Sequence, residues 1–296
     1  MIQSSELILN DDGSIYHLHL LPEHLAPVVI TVGDPDRVAS VSKHFDRIEH
    51  RIQKREFITH TGYIGDKRLS VVSTGIGTDN IDIIFNELDA LVNIDLATRQ
   101  AKTALQSLKI IRLGTSGSMR ADLPVDSFLA SLHAIGLDGL LHFYAQTAEY
   151  QAQNQPLQAA LESYLAANGL SFPLSWYPTS AGRALSQVFD REGWHKGITL
   201  TASGFYAPQN RRLRLGSRYG ELFQPLEGFD FQGAKITNLE METAAMYGLG
   251  QLMGHEVLSL NAILANRRTG DFSKDPHAIV ERLIETALGI IVAEIC

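Results

Sequence analysis

Three times within its first 120 residues the chain runs through a short apolar stretch and then breaks at glycine. Val28-Val29-Ile30-Thr31-Val32 leads into Gly33-Asp34-Pro35-Asp36-Arg37, Leu69-Ser70-Val71-Val72-Ser73 into Thr74-Gly75-Ile76-Gly77, and Ile110-Ile111-Arg112-Leu113 into Gly114-Thr115-Ser116-Gly117. Short β-branched runs bounded by turn residues are the pattern of buried strands. Between the second and third runs, Asp79 or Asn80 can cap an amphipathic helix that carries Ile81, Ile84, Phe85 and Leu88 at helical spacing. This alternation predicts an α/β fold. In open α/β sheets ligands bind outside the carboxyl ends of the strands, so loops of this kind share one crevice.

Each loop alone has two readings. The turn at Gly114-Thr115-Ser116-Gly117 offers backbone N–H groups and two hydroxyls to an anion, and Arg112 adds a fork suited to phosphate; the same residues suit a tight turn with Arg112 paired to a carboxylate. Gly33 permits close approach of a ligand to the backbone, with Arg37 projecting from a helix that runs to about His44. That stretch equally fits a helix capped by Asp34 with Arg37 in a surface ion pair. None of the three loops has the G-x-G-x-x-G spacing, and G-x-x-x-x-G-K-[ST] is missing, which removes the commonest dehydrogenase and ATPase readings.

Ile15-Tyr16-His17-Leu18-His19-Leu20 alternates as an extended segment, with both histidines on its polar face. Lys54–Tyr63 and Leu69–Ser73 form a hairpin turning at Gly65-Asp66-Lys67. A strand around Phe128–His133 and a helix from about Pro156 to Asn168 follow, and residues 122–190 are assigned no site. The strand Gly197–Ser203 exits into Gly204-Phe205-Tyr206-Ala207-Pro208-Gln209-Asn210-Arg211-Arg212. Flat apolar faces, an amide and a guanidinium there suit a planar heterocycle, although a basic surface loop would look alike. Thr237–Tyr247 reads as the start of a helix with Asn238 as cap and Glu240 and Glu242 in the first turn, where Glu242 could accept from a vicinal diol. The strand Val257–Leu264 leads to Asn266-Arg267, and a helix from about Asp275 to Val292 closes the chain.

Composition narrows the partners. With 296 residues, 45% hydrophobic, the chain can bury a substantial core, and no linker-like tract divides it, so a single domain over 1–296 is expected. A net charge of −8 argues against a nucleic-acid surface, which needs broad phosphate neutralisation. The single cysteine, Cys296, excludes an intramolecular disulfide and a Cys-based metal site. Neither a signal peptide nor an apolar run of about 20 residues is present, so a cytoplasmic protein without membrane association is expected.

Taken together and in order, Gly33-Asp34-Pro35-Asp36-Arg37, Arg55-Glu56-Phe57, Thr74-Gly75-Ile76-Gly77, Arg112-Leu113-Gly114-Thr115-Ser116-Gly117, Gln209 with Arg211, and Glu240-Met241-Glu242 resemble the nucleoside phosphorylase-I family, in particular its uridine-cleaving members. The resemblance implies a three-layer α/β/α fold around a mixed, partly barrel-like sheet, and reversible phosphorolysis of uridine, or of deoxyuridine or thymidine, with inorganic phosphate as co-substrate and no cofactor or metal. By the same resemblance Gly33, Arg37, Arg112 and Thr115 would hold phosphate, with Arg55 reaching in from a neighbouring subunit. Glu242 and Met241 would hold the ribose, and His17 would contact its 5′-hydroxyl across the interface. Gln209 and Arg211 would read the uracil edge, Phe205 would pack on the base and Arg267 would support the base loop. Arg112, Gln209, Arg211 and Glu242 would carry the catalysis. The implied assembly is a homo-oligomer, a dimer or a hexamer of dimers, with sites shared pairwise.

Thr78-Asp79-Asn80 departs from the Gly-Pro-Ser type sequence of many bacterial relatives, so the monovalent-cation site of some relatives is not carried over. A purine-specific phosphorylase would carry an aspartate near Asn266. A purine phosphorylase or nucleosidase is the alternative activity, and a non-catalytic nucleoside- or phosphate-binding homologue the alternative class.

Overall fold

The computed structural model describes residues 1–296. In chain order its elements are β1 (Val28–Val32), α1 (Asp36–Ser42), β2 (Arg47–Lys54), β3 (Phe57–Ile64), β4 (Lys67–Ser73), α2 (Thr78–Asn93), the short pair β5 (Ile94–Asp95) and β6 (Gln100–Ala101), β7 (Lys109–Ser118), β8 (Phe128–Gly136), α3 (Ala148–Ala167), β9 (Tyr177–Ser180), α4 (Arg183–Val188), β10 (Trp194–Thr201), β11 (Asp230–Phe231), β12 (Ala234–Glu240), α5 (Thr243–Met253), β13 (Glu256–Asn266) and α6 (Pro276–Glu294). All five residues of β1 are buried, because it pairs in parallel with β4 on one side and β7 on the other.

The large sheet runs β11-β12-β10-β8-β13-β7-β1-β4-β3-β2, with β9 paired to β8. An antiparallel contact of β12 with β7, Leu239 opposite Gly117 and Asn238 opposite Ser118, closes five of these strands into a ring. The other strands continue outward as an open wing, so the sheet is mixed and partly barrel-like, as the family resemblance implies. Helices α1 and α6 contact each other, as do α2 and α5, and α5 and α6 both pack against β13. No helix is long and apolar enough to cross a membrane.

The ring interior is polar near β7, which matters for the site. Ser131 Oγ lies 2.6 Å from Thr199 Oγ1, Thr199 donates to Asn238 Oδ1 at 2.7 Å, and Asn238 Nδ2 donates to Ser116 Oγ at 2.9 Å. All four residues are buried. Buried hydroxyls and amides are tolerated only when they satisfy one another, and linked in this way they hold the facing strands at one register.

Several expectations are corrected. The third apolar run does not break at Gly114: β7 continues through Gly114-Thr115-Ser116-Gly117 to Ser118, because β13 pairs with it along that length. Its glycine leaves room for the Arg112 guanidinium. Ile15–Leu20 is a tight turn in place of an extended segment. The Ile15 N–H bonds Leu20 O and the His19 N–H bonds Ile15 O, so that Ile15, Leu18 and Leu20 all enter the core. Arg55 and Glu56 form the turn between β2 and β3, and Arg55 takes a left-handed φ of 54°. Helix α3 starts at Ala148, capped by Thr147, well before Pro156. That proline lies on the exposed side, where the carbonyl it leaves without a donor can meet water. Thr237–Glu240 belongs to β12 and not to a helix, since Asn238 is committed to the ring interior; α5 begins at Thr243.

Candidate active site

Strand β7 is the floor of the site, and Arg112 lies at its deep end. In a strand, residues two apart share a face, so the Arg112 side chain lies over residue 114. A Cβ at Gly114 would sit 1.9 Å from Arg112 Nη1, so only glycine leaves room for the guanidinium. From there Arg112 Nη2 donates to Glu242 Oε2 at 2.7 Å and lies 3.5 Å from Glu240 Oε2. Its Nη1 donates to Asn261 Oδ1 at 3.1 Å, and Asn261 Nδ2 donates in turn to Ser259 Oγ at 3.2 Å. Burial disfavours the charge on Arg112, but the two glutamates outweigh it and hold its pKa above the ordinary value.

Glu242 is the N-cap residue of α5, so it sits where the strand-to-helix junction opens. Its second oxygen accepts the Gly77 N–H at 2.8 Å, across from the exit of β4. Burial pushes this carboxyl upward, opposed by Arg112 and the Gly77 N–H. Glu240 plays a different part from that of a free first-turn glutamate. Its carboxylate accepts the N–H groups of Glu242 and Thr243 at 2.9 Å and the Thr201 hydroxyl at 2.6 Å, anchoring the start of α5.

The first two strand exits meet here too. Residue 33 adjoins the Gly75 loop: a Cβ there would touch Gly75 O at 3.4 Å, an ordinary van der Waals contact. Arg37, the second residue of α1, crosses to β7 and donates from Nη1 to Leu113 O at 3.2 Å. Its pKa is lowered by burial and by the like charge of Arg112, and it has no carboxylate partner within salt-bridge distance. Asp34 instead accepts the Asp36 N–H at 3.0 Å, closing the loop below it. Further along β7, Thr115 and Gly117 are the partly open positions of an otherwise buried segment from Ile110.

At the shallow end, the loop after β10 gathers the expected base-side residues. Gln209 is buried and its amide oxygen accepts from Arg211 Nη1. The Arg211 guanidinium lies 3.8 Å over the Phe205 ring and donates to Phe205 O at 2.9 Å. Arg267 passes along Gly117, and its Nη1 is buried without a hydrogen-bond partner. Burial lowers the pKa values of both arginines, and the Arg211 charge adds to the effect on Arg267. Arg37 at one end of the floor and Arg211 and Arg267 at the other therefore present guanidinium charge without a carboxylate partner, as a receptor for anionic groups requires.

Met241 is half-buried between the two glutamates. Two expected residues stand apart from this set. Arg55 is exposed and makes no ion pair with any residue of the floor, and His17 is held by Glu87 of α2, with His17 Nδ1 2.7 Å from Glu87 Oε1. They are neighbours of each other. Phe57, beside the Arg55 turn, meets the His17 ring edge-on at 6.4 Å between centroids, and Lys54 donates to Tyr16 O at 2.6 Å.

A family model described as the phosphorylase superfamily matches residues 27–295. The chain belongs to the phosphorylase superfamily. Among relatives of this superfamily member, the uridine phosphorylase of Thermococcus kodakarensis is 29% identical over 273 residues, covering 92% of this chain and 84% of its own. The uridine phosphorylase of Haemophilus influenzae is 23% identical over 284 residues, 95% of this chain and 96% of its own. The crystal structure of a Trypanosoma brucei nucleoside phosphorylase, described as showing uridine phosphorylase activity, superposes with a TM-score of 0.81 at 27% identity, covering 97% of this chain and all of that one.

Three residues of this superfamily member's site were missed by sequence reasoning. Ser259 and Asn261 alternate with Leu258 and Leu260 in a strand paired on both sides, and polar residues on one face of a central strand are the signal that a polar group opposes them. Glu87 lies at core spacing from Ile84 and Leu91 in α2, where a carboxylate needs buried donors.

Proposed function

We propose that the protein is a cytoplasmic uridine phosphorylase acting as one domain over residues 1–296, catalysing reversible phosphorolysis of uridine to uracil and ribose 1-phosphate with inorganic phosphate as co-substrate. The observation that carries this reading is the pairing of Arg112 with Glu242 at 2.7 Å at one end of β7, with Arg37 of α1 bonded to the same strand and the Gln209, Arg211 and Arg267 group at the other. That order is the order phosphate, ribose, base.

In this reading the Gly33 loop, Arg37, Arg112 and Thr115 hold the phosphate dianion beneath the sugar, and Glu242 with Met241 holds the ribose diol. A phosphate oxygen bonds to C1′ as the C1′–N1 bond breaks and its electron pair passes into the uracil ring. Positioning the nucleophile and placing negative charge under the cationic sugar lower the barrier without any covalent enzyme intermediate. Gln209 and Arg211 donate to the uracil oxygens, and these bonds strengthen as the base becomes anionic, so they favour the transition state over the substrate. Phe205 covers the base. Arg55 and His17 complete the site of a neighbouring subunit, and their shared patch on this chain supports a common surface of donation.

A purine nucleoside would need a proton donor near the purine N7. Asn266, near the position where purine enzymes of the family carry aspartate, is committed elsewhere. Its Nδ2 donates to Arg120 O at 2.8 Å and Leu123 O at 2.9 Å, and its Oδ1 accepts the Arg268 and Thr269 N–H groups at 2.9 and 3.1 Å. The pyrimidine reading follows.

Incubation with uridine, thymidine, inosine and methylthioadenosine, each with and without phosphate, tests the assignment through release of free base. Phosphate-dependent release from uridine is expected. Release without phosphate, or from purine nucleosides only, contradicts it.

A further inference from the structure

Glu87 is an α2 residue that the reaction as described above does not use, yet it is buried and directed at a single turn. Its carboxylate accepts the His17 N–H at 2.9 and 3.0 Å on its two oxygens and the Leu18 N–H at 2.8 Å. The His17 Nδ1 lies 2.7 Å from Oε1 of the same group. The carboxylate thus faces donors only. A carboxylate acting as acceptor requires the hydrogen of the imidazole to be on Nδ1, which leaves the lone pair of the neutral ring on Nε2.

The ring itself is held in place. Tyr16 meets it edge-on at 4.7 Å and Phe57 at 6.4 Å between centroids, while Lys54 bonds the Tyr16 carbonyl and fixes the turn. About a quarter of the His17 side chain remains exposed, at 26%, whereas the Glu87 side chain is exposed by 12%. With Nδ1 engaged by Glu87, the ring nitrogen left for an outside partner is Nε2, on the patch that also carries Arg55.

We propose that Glu87 is the positioning residue of His17: it selects the Nδ1-protonated tautomer, so that Nε2 is offered as a hydrogen-bond acceptor to the ribose 5′-hydroxyl in the neighbouring subunit's site. This rests on the reading of His17 given above. Glu87 touches no reacting atom and acts only through the imidazole, as outer residues do that orient histidines from behind. A glutamine at 87 keeps an oxygen for the backbone N–H groups but brings an amide that can donate to Nδ1, which releases the choice of tautomer.

The test compares uridine with 5′-deoxyuridine, which lacks only the hydroxyl in question. Glu87→Gln is expected to lower kcat/KM for uridine by about tenfold, the lower end of the usual cost of losing such an outer partner. For 5′-deoxyuridine it should change nothing. His17→Ala should have the same selective effect, and the double variant should lose no more than the single ones. An equal loss on both substrates marks a merely structural role and overturns the proposal, as does no loss on either. Nitrogen-15 imidazole spectra read the tautomer without any turnover: Nδ1–H for His17 in the wild-type protein is expected, and Nε2–H overturns the proposal. A wild-type protein inactive on uridine would overturn the functional reading alone, with the spectra still deciding the tautomer.

Discussion

Arg112 and Glu242 face each other across the interior of the molecule, guanidinium Nη2 to carboxylate Oε2 at 2.7 Å, each almost fully buried. Neither residue has another ionic partner except Glu240 at 3.5 Å from the same Nη2. Removing one partner of a buried pair leaves the other charge without compensation, at a cost of about 3–5 kcal/mol. Arg112→Ala is therefore expected to lower the urea midpoint markedly as well as to abolish phosphate-dependent turnover. An Arg112→Ala protein that retained activity and its phosphate dependence would remove this residue from the anion site.

Gly114 gives a gentler probe of the same group. A methyl there would lie 1.9 Å from Nη1, and Arg112 cannot yield freely because Glu242 and Asn261 hold it. Gly114→Ala is expected to displace the guanidinium by about 1 Å, raising the KM for phosphate and lowering kcat/KM by roughly 10²-fold. Steady-state kinetics with phosphate as the varied substrate checks this; an unchanged phosphate KM contradicts the packing argument.

At the base end, Gln209 and Arg211 are assigned to the developing charge on uracil. Gln209→Ala is expected to reduce kcat for uridine by about 10²–10³-fold, as loss of a donor to a developing anion does. The loss should be smaller for 5-fluorouridine, whose base leaves more readily as an anion. Equal losses on the two substrates would show that Gln209 only binds the ground state.

His17 and Arg55 share one patch and neither reaches the floor of their own chain's site. If each serves a neighbour, an Arg55→Ala chain and a Gln209→Ala chain, each nearly inactive alone, should restore activity when co-expressed. Each mixed pair then contains one site with Gln209 from one chain and Arg55 from the other. Absence of any regain in mixed oligomers, confirmed by mass, would place Arg55 in its own chain's site.

The architecture was legible where periodicity was clean. The β1 strand, the apolar stripe of α2 and the closing helix α6 lie where their patterns predict them. What misled was polar residues inside strands. Gly114 and Ser116 look like turn residues, yet the glycine clears space for Arg112 and the serine accepts from Asn238 inside the ring. Asn238 itself looks like a helix cap for the same reason, and no local pattern announces that β12 and β7 close a ring. The site residues were recognisable as a family set, but their grouping depends on tertiary contacts. That Arg112 spends its fork on Glu242 and Asn261, and that Glu240 anchors α5, can be seen only once β7, β13 and α5 are adjacent.

One stability effect lies outside the site. His133 in β8 is held near Ser180, its Nδ1 2.9 Å from Ser180 Oγ, and burial lowers its pKa to about 4. The unfolded chain binds that proton from pH 6.5 downward and the folded chain only from about 4, so stability falls as pH drops through this window and levels below it. The integrated loss is about 3 kcal/mol. Urea midpoints measured from pH 7 to pH 4 should show this slope, and His133→Gln should flatten it; an unaltered slope would assign the acid sensitivity to other groups.

The central claim is that phosphate, and not water, accepts the ribosyl group at the Arg37 and Arg112 end of β7. Phosphorus NMR of the reaction with uridine, run beside a measurement of uracil, tests it most directly. One ribose 1-phosphate per uracil released is the predicted result; free ribose accompanying the uracil, with the phosphate signal unchanged, would contradict the account.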